Sequence, residues 1–414
     1  MILIRNISRL ATCAGGPEAR RGAALADAGV IENAAVLCDG PAIVATGSEA
    51  EVLRHVSAQN AEVIDARGCA VIPGFVDAHT HPVFARTRHD EYERRICGES
   101  YQQIAASGGG ILSSVRAVRE SDESALVDIA LRHAERFLEY GTTTIEAKSG
   151  YGLDLENEMK TLRAIRAMGE RTALSVLPTL LAHVVPPEFA RDREGYLRLW
   201  CERVIPEAAG EGLAHYCDVY CDEAAFTIDE MKRIFEAAAR CDLVCRAHVE
   251  QHAPNGGALA AIRAGATSVD HLEHLPDGDI PAIAASGAAA VFLPGSVFHL
   301  GLDRYPPARA LIDAGAAVVV ATDFNPGSSP SWSMPMMLAL ACNRMKMTPH
   351  EALVAATANG AASLGLSDRG RIEPGARADL VILDGSDERR IPYHFGTNPC
   401  RVVIVGGAVV SRRI

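Results

Sequence analysis

His79 and His81 flank a single threonine at the end of the apolar run Val71-Ile72-Pro73-Gly74-Phe75-Val76-Asp77. On extended backbone the side chains alternate with period two, so both imidazoles point the same way. Two neutral nitrogen donors aimed at one point form half of a site for a divalent metal. The pattern also suits two polar residues in a loop, so the rest of the chain must supply the other half.

Further candidates follow strand-like runs. Leu243-Val244-Cys245-Arg246-Ala247 ends in His248, with Gln251 close behind, and Thr267-Ser268-Val269-Asp270 ends in His271. The run Ala317 to Thr322 ends in Asp323, where a carboxylate is costly without a partner. Pro326-Gly327 argues against Asp323 capping an immediate helix. A run from Thr142 ends in Glu146, Lys148 and Tyr151, and one from Ala173 leads to His183. Together His79, His81, His248 and Asp323 compose a site for one metal, with a position left for water; that donor set suits Zn or Fe. A metal there makes its water nucleophilic at neutral pH. Asp323 can take the proton and return it to a leaving nitrogen. His271, not needed as a ligand, is placed to polarise a carbonyl or its oxyanion.

Such residues need a scaffold that gathers strand ends. Candidate strands begin near Val71, Thr142, Ala173, Tyr216, Leu243, Thr267, Ala289 and Ala316, separated by segments with apolar residues at helical spacing such as 156–168 and 228–239. Alternation of this kind predicts an α/β fold, a (β/α)8 TIM-like barrel whose active groups sit at the carboxyl ends of its strands. A doubly wound sheet would also alternate. The ends of the chain differ from the middle. Residues 35–47 resemble a hairpin with Asp39-Gly40 at its turn, and 378–384 with 402–407 have the same texture. The expected division is a small β-sandwich domain formed by both termini, 1–72 and 361–414, around a barrel of 73–360.

Hydrophobic residues make up 48% of the 414 residues and charged ones 22%, as in an ordinary soluble globule. The net charge of −12 speaks against nucleic acid or an anionic membrane as a general partner. No apolar run approaches the roughly 20 residues of a membrane helix, and Met1-Ile2-Leu3-Ile4-Arg5 lacks the form of a signal peptide. The 11 cysteines include no Cys-x-x-Cys pair. In His215-Tyr216-Cys217-Asp218-Val219-Tyr220-Cys221 the two cysteines and Val219 share one strand face, which reads as core packing rather than a zinc site. Buried free thiols point to a reducing, cytoplasmic setting.

The phrase Pro73-Gly74-Phe75-Val76-Asp77-Ala78-His79-Thr80-His81, with His248, Asp323 and the closing Gly370-Arg371-Ile372-Glu373-Pro374-Gly375-Ala376-Arg377-Ala378-Asp379-Leu380, resembles the amidohydrolase superfamily. Residues 107–113 (SGGGILS), 146–154 (EAKSGYGLD) and 322–329 (TDFNPGSS), with 392–396 (PYHFG), are similar to its imidazolonepropionase family, the lactam hydrolases of histidine degradation. The resemblance runs from about residue 35 to the C-terminus. It implies a homodimeric enzyme that hydrolyses 4-imidazolone-5-propanoate to N-formimidoyl-L-glutamate, with one divalent or trivalent metal, Zn or Fe, per subunit. It implies that Arg88 and Tyr151 bind the substrate's propanoate, a role suited to a guanidinium fork. It also implies that His183, Gln251, Asn325, Gly327 and Ser328 contact the substrate, with Gln251 near the chemistry beside Asp323 and His271. The chain departs from the family pattern at Val249-Glu250-Gln251, where Ala-Asp-Glu or Ala-Asp-Gln is usual, and at Leu181-Ala182-His183.

Superfamily deaminases are the nearest rival, but they place a glutamate where this chain has Gln251, which cannot titrate. Binuclear members bridge two metals with a lysine ending the fourth strand; here that strand ends Cys221-Asp222-Glu223. A non-catalytic barrel with a structural metal is the reading from another class. Metal bound without hydrolysis of any cyclic amide would favour it.

Overall fold

A computed structural model describes residues 1–99, 103–104, 107–223 and 225–413. Both ends of the chain contribute to one mixed sheet. Its strands are β1 (Ile2–Ala11), β2 (Val30–Asp39), β3 (Ala42–Ser48), β4 (Glu62–Asp65) and β5 (Val71–Pro73) from the N-terminal part. The barrel strands follow: β6 (Phe75–Thr80), β7 (Thr142–Lys148), β8 (Ser175–Ala182), β9 (Tyr216–Cys221), β10 (Val244–Val249), β11 (Ser268–His271), β12 (Ala289–Phe292) and β13 (Ala317–Val320). The chain then returns to the first sheet with β14 (Leu380–Leu383), β15 (Cys400–Val405) and β16 (Ala408–Arg412).

The terminal sheet runs in the order β16-β15-β14-β5-β1-β2-β3, with β4 beside β1. The expected hairpin is β2–β3, turning at Gly40, whose φ of 52° is the left-handed conformation such turns require. Alternation along β2 buries Ala34, Val36 and Cys38 against Ile4 and Ile43, while Ala35 and Leu37 pack on Val52 and Ala58. The apolar run 71–76, which the sequence presents as one strand, divides at Gly74. Val71–Pro73 pairs with β14, and Phe75 starts the barrel. A Cβ on Gly74 would lie 2.3 Å from Thr143 Oγ1, so only glycine lets the chain cross between the sheets here.

Strands β6 to β13 pair in sequential order, all parallel, with helices such as Leu155–Arg171 and Ile228–Arg240 packed outside. The barrel's ends meet at the top: Asp323 N–H donates to His79 O at 3.0 Å and His81 N–H to Phe324 O at 2.8 Å. Asp77, buried one turn below, accepts from Thr322 N–H at 3.0 Å and Thr322 Oγ1 at 2.6 Å. This closure sets the first strand's histidines against the last strand's aspartate. Period-two alternation then divides the other strands. Ile145, Ala147, Cys217, Val219, Cys245, Ala247 and Val249 join the helix-side core, as expected for Cys217 and Cys221. Their neighbours Glu146, Lys148, Asp218, Arg246 and His248 point into the barrel. The 11 cysteines are all free, and no helix among the described residues is long and apolar enough to cross a membrane.

Candidate active site

His79, His81 and His248 are buried at the carboxyl ends of β6 and β10, their ligand atoms all within 4.8 Å of one another. Ring centroids stand 5.3 Å apart for His79–His81 and 4.4 Å for His79–His248. Two rings are held from behind: His79 Nδ1 lies 2.6 Å from Asp270 Oδ2, and His248 Nδ1 lies 2.9 Å from Asp218 Oδ1. An ionised carboxylate only accepts, so each Nδ1 carries the proton and each Nε2 keeps its lone pair. His79 Nε2, His248 Nε2 and His81 Nδ1 are buried with no hydrogen-bond partner among the described residues. His79 Nε2 and His248 Nε2, orphaned within this three-histidine cluster, fit a metal ion, which would repay their desolvation. Burial lowers the pKa of all three: His79 well below the usual imidazole range, His81 to about 3, and His248 downward despite the opposing pull of Asp218. The neutral imidazole is the ligating form.

Asp323 stands beside them, Oδ1 at 3.4 Å from His81 Nε2 and 3.7 Å from His79 Nε2. Burial raises its pKa, against the pull of His271 and His248, so this carboxyl is suited to exchanging a proton. Both Asp323 (φ 53°) and His271 (φ 83°) adopt left-handed backbone, uncommon outside glycine though better tolerated by Asp and His than by most residues. At His271, the last residue of β11, and at Leu272 the positive φ directs the chain off the strand. The His271 ring lies 5.4 Å from His248 and 5.8 Å from His79. Burial pulls its pKa down, but Glu273, 3.3 Å from Nδ1, together with Asp323 raises it overall. The shift favours the protonated form of His271, in which both ring nitrogens donate.

Beneath the histidines lies a fully buried lattice of charge. Lys148 Nζ donates to Glu146 Oε1 at 2.6 Å and Asp218 Oδ2 at 2.5 Å, and stands 4.0 Å from Asp270. Arg246 approaches Glu146 at 3.5 Å and Asp270 at 3.8 Å. Burial works against the Asp218 anion, yet His248 and Lys148 hold its pKa well below the usual carboxylate range. Asp218 and Asp270 are the residues sequence reasoning missed as partners of the site. The signal was clearest at Asp218, an inward-facing position flanked by Cys217 and Val219 on the apolar face of its strand.

Tyr151 and His183 border the cluster at His81. His183 stacks on His81 at 5.9 Å and lies 5.6 Å from Tyr151, while its Nδ1 is 3.1 Å from Gly150 O. Glu158, fully buried, accepts the N–H groups of Gly150, Gly152 and Leu153 and so shapes the loop that presents Tyr151. Asn325 Oδ1 accepts from Gly327 N–H and Ser328 N–H, both at 2.8 Å, and Ser328 Oγ stands 3.4 Å from Asp323 Oδ2. Arg88 reaches the same turn, for a Cβ on Gly327 would meet its Nη1 at 2.3 Å. Gln251 follows β10 on a turn pinned to β9, its N–H donating to Asp222 Oδ2 at 3.1 Å.

A parallel barrel with metal-ready imidazoles on its first and fifth strands and an aspartate on its last defines an amidohydrolase, and the Amidohydrolase family model matches residues 70–410. Among solved structures the chain is similar to a zinc-bound atrazine chlorohydrolase of Arthrobacter aurescens (TM-score 0.69, 19% identity, 100% of this chain and 95% of that one). It is also similar to a zinc-bound adenosine deaminase of Xanthomonas campestris (0.71, 18%, 99% and 92%). These show the shared fold. The sequence goes further: it is 45% identical over 410 residues to an imidazolonepropionase of Solibacter usitatus, covering 99% of this chain and 98% of that protein. It is 44% identical over 413 residues to one of Symbiobacterium thermophilum, covering 99% and 97%. The chain belongs to the imidazolonepropionase family of the amidohydrolases.

Proposed function

We propose that the enzyme hydrolyses 4-imidazolone-5-propanoate to N-formimidoyl-L-glutamate, water adding across the ring's carbonyl–nitrogen bond. The observation that carries this is the cluster of three buried imidazoles beside Asp323 and His271, in a chain so close to imidazolonepropionases. His79, His81, His248 and Asp323 would hold one metal, Zn or Fe. When bound it supplies Lewis acidity, lowering the pKa of water and polarising the ring carbonyl. Asp323 accepts the proton of the attacking water and delivers it to the departing ring nitrogen. His271, backed by Glu273, donates to the carbonyl oxygen as negative charge develops there. Arg88 and Tyr151 bind the propanoate, and Gln251, His183, Asn325, Gly327 and Ser328 contact the ring and side chain. Gln251 orients without titrating, which separates the chemistry from deamination.

We further infer a division into residues 1–72 with 361–414 as one β domain and 73–360 as the barrel. A homodimer in the cytoplasm is the working form, in keeping with the free thiols. The proton transfer is tested by Asp323→Asn: turnover should fall at least about a thousandfold. Near-parent rates in a folded, metal-replete variant would overturn the assigned step.

A further inference from the structure

Arg88 and Gly327 share a close packing whose consequence lies one helical turn away. Arg88 sits at the start of the helix His89–Ile96, and Glu91 lies on its first turn. Glu91 Oε2 accepts Arg88 Nε at 2.9 Å and Arg88 Nη2 at 2.6 Å, and the same oxygen accepts Gly110 N–H at 3.0 Å. Both side chains are largely buried, at 16% and 14% exposure. A guanidinium offers carboxylates a side edge, Nε with Nη2, and an end edge, Nη1 with Nη2. Glu91 occupies the side edge. Nη1 is left against Gly327, in the turn whose Ser328 reaches Asp323.

We propose that Glu91 is the positioning residue that sets carboxylate specificity at this site, by fixing Arg88 so that only its end edge meets the substrate. The inference rests on the reading that Arg88 binds the propanoate. Two physical effects support it. Arg88 is a long side chain with substantial rotamer freedom, and ordering it before binding removes that cost from the substrate. Glu91 is also an anion, so a substrate carboxylate approaching the side edge meets like charge, whereas one at Nη1 does not. Through Gly110 the same oxygen ties Arg88 to the start of the helix Ile111–Glu120, which makes Arg88 and the 107–110 loop one unit.

The test uses the full-length, metal-replete enzyme with 4-imidazolone-5-propanoate and with the same ring lacking the propanoate. Glu91→Ala should raise KM for the carboxylated substrate about 5- to 10-fold with kcat within about twofold. Glu91→Gln, which keeps an acceptor oxygen, should fall between it and the parent. KM for the bare ring should not change. In an Arg88→Ala background, Glu91→Ala should add less than a twofold effect, the signature of action through Arg88. Should Glu91→Ala fail to fold, the Gln variant carries the same comparison. Unchanged KM in both variants, an equal KM rise for the bare ring, or additive effects of the two substitutions would each overturn the proposal. If Arg88→Ala raises KM while the Glu91 variants do not, this inference alone falls. If Arg88→Ala itself leaves KM unchanged, the reading on which it rests falls too.

Discussion

Asp218→Asn is the substitution whose outcome is most constrained by geometry. Asp218 accepts from His248 Nδ1 at 2.9 Å through one oxygen and from Lys148 Nζ at 2.5 Å through the other, all fully or nearly fully buried. Asparagine has the same shape but one acceptor fewer. With its oxygen toward His248, its amide N–H groups face the Lys148 ammonium, donor against donor, and Lys148 keeps only Glu146 at 2.6 Å. With the amide flipped, N–H faces His248 Nδ1, which must become the acceptor. The imidazole proton then moves to Nε2, the atom needed for ligation. Neither orientation leaves the site intact. Loss of a carboxylate partner behind a ligating histidine costs about 10- to 100-fold in metal affinity, or roughly 1.4–2.7 kcal/mol. Affinity is read by competition with a chelator of known strength, counting retained metal by elemental analysis. Asp128→Asn, at an exposed pair 3.9 Å from Arg171, serves as a control expected to match the parent. Parent-like affinity in folded Asp218→Asn would refute the idea that the buried lattice fixes the imidazole tautomers.

Arg88→Ala should raise KM roughly 10- to 100-fold with a smaller effect on kcat, the loss of charge-assisted hydrogen bonds to a carboxylate; steady-state kinetics decide it. Glu158→Gln should raise KM severalfold, because one oxygen that accepts loop N–H groups becomes a donor and Tyr151 loses its support. Acid stability has a defined contributor in Glu388. Burial works against its charge, but Arg9, at 2.9 and 2.8 Å, and His350, at 2.8 Å, outweigh it and depress its pKa from 4.5 to about 2. A depressed carboxylate stabilises the fold above its unfolded pKa, and that contribution disappears as pH falls through the folded value. On the order of 3 kcal/mol should therefore vanish between pH of about 4.5 and about 2, and Glu388→Gln should flatten this part of a denaturation profile.

Much of the site was legible because barrels place chemistry at strand ends and because period-two alternation can be read directly. His79, His81, His248, His271 and Asp323 each terminate a run of apolar or β-branched residues, and the structure gathers them. The lattice below them was harder to see. Asp218 lies between Cys217 and Val219, whose outward face reads as core, and only the inward face reveals that Asp218 meets a histidine from the neighbouring strand. Partnership across strands depends on register, which one strand's pattern does not contain. The break at Gly74 was equally hidden. Its cause is Thr143, on β7, approaching from far along the chain. Glu91 likewise reads as one more charge on a polar helix until its oxygen is found between Arg88 and Gly110.

Whether a mononuclear metal site here opens a five-membered lactam is decided by one ultraviolet-monitored assay. Freshly generated 4-imidazolone-5-propanoate is supplied to the metal-replete enzyme, beside cytosine, guanine and hydantoin. The predicted result is consumption of the imidazolone alone, with N-formimidoyl-L-glutamate as product, lost on chelation and recovered when Zn or Fe is restored. Metal-replete protein that leaves the imidazolone intact, or that turns it over equally well after complete metal removal, would rule out metal-dependent lactam hydrolysis.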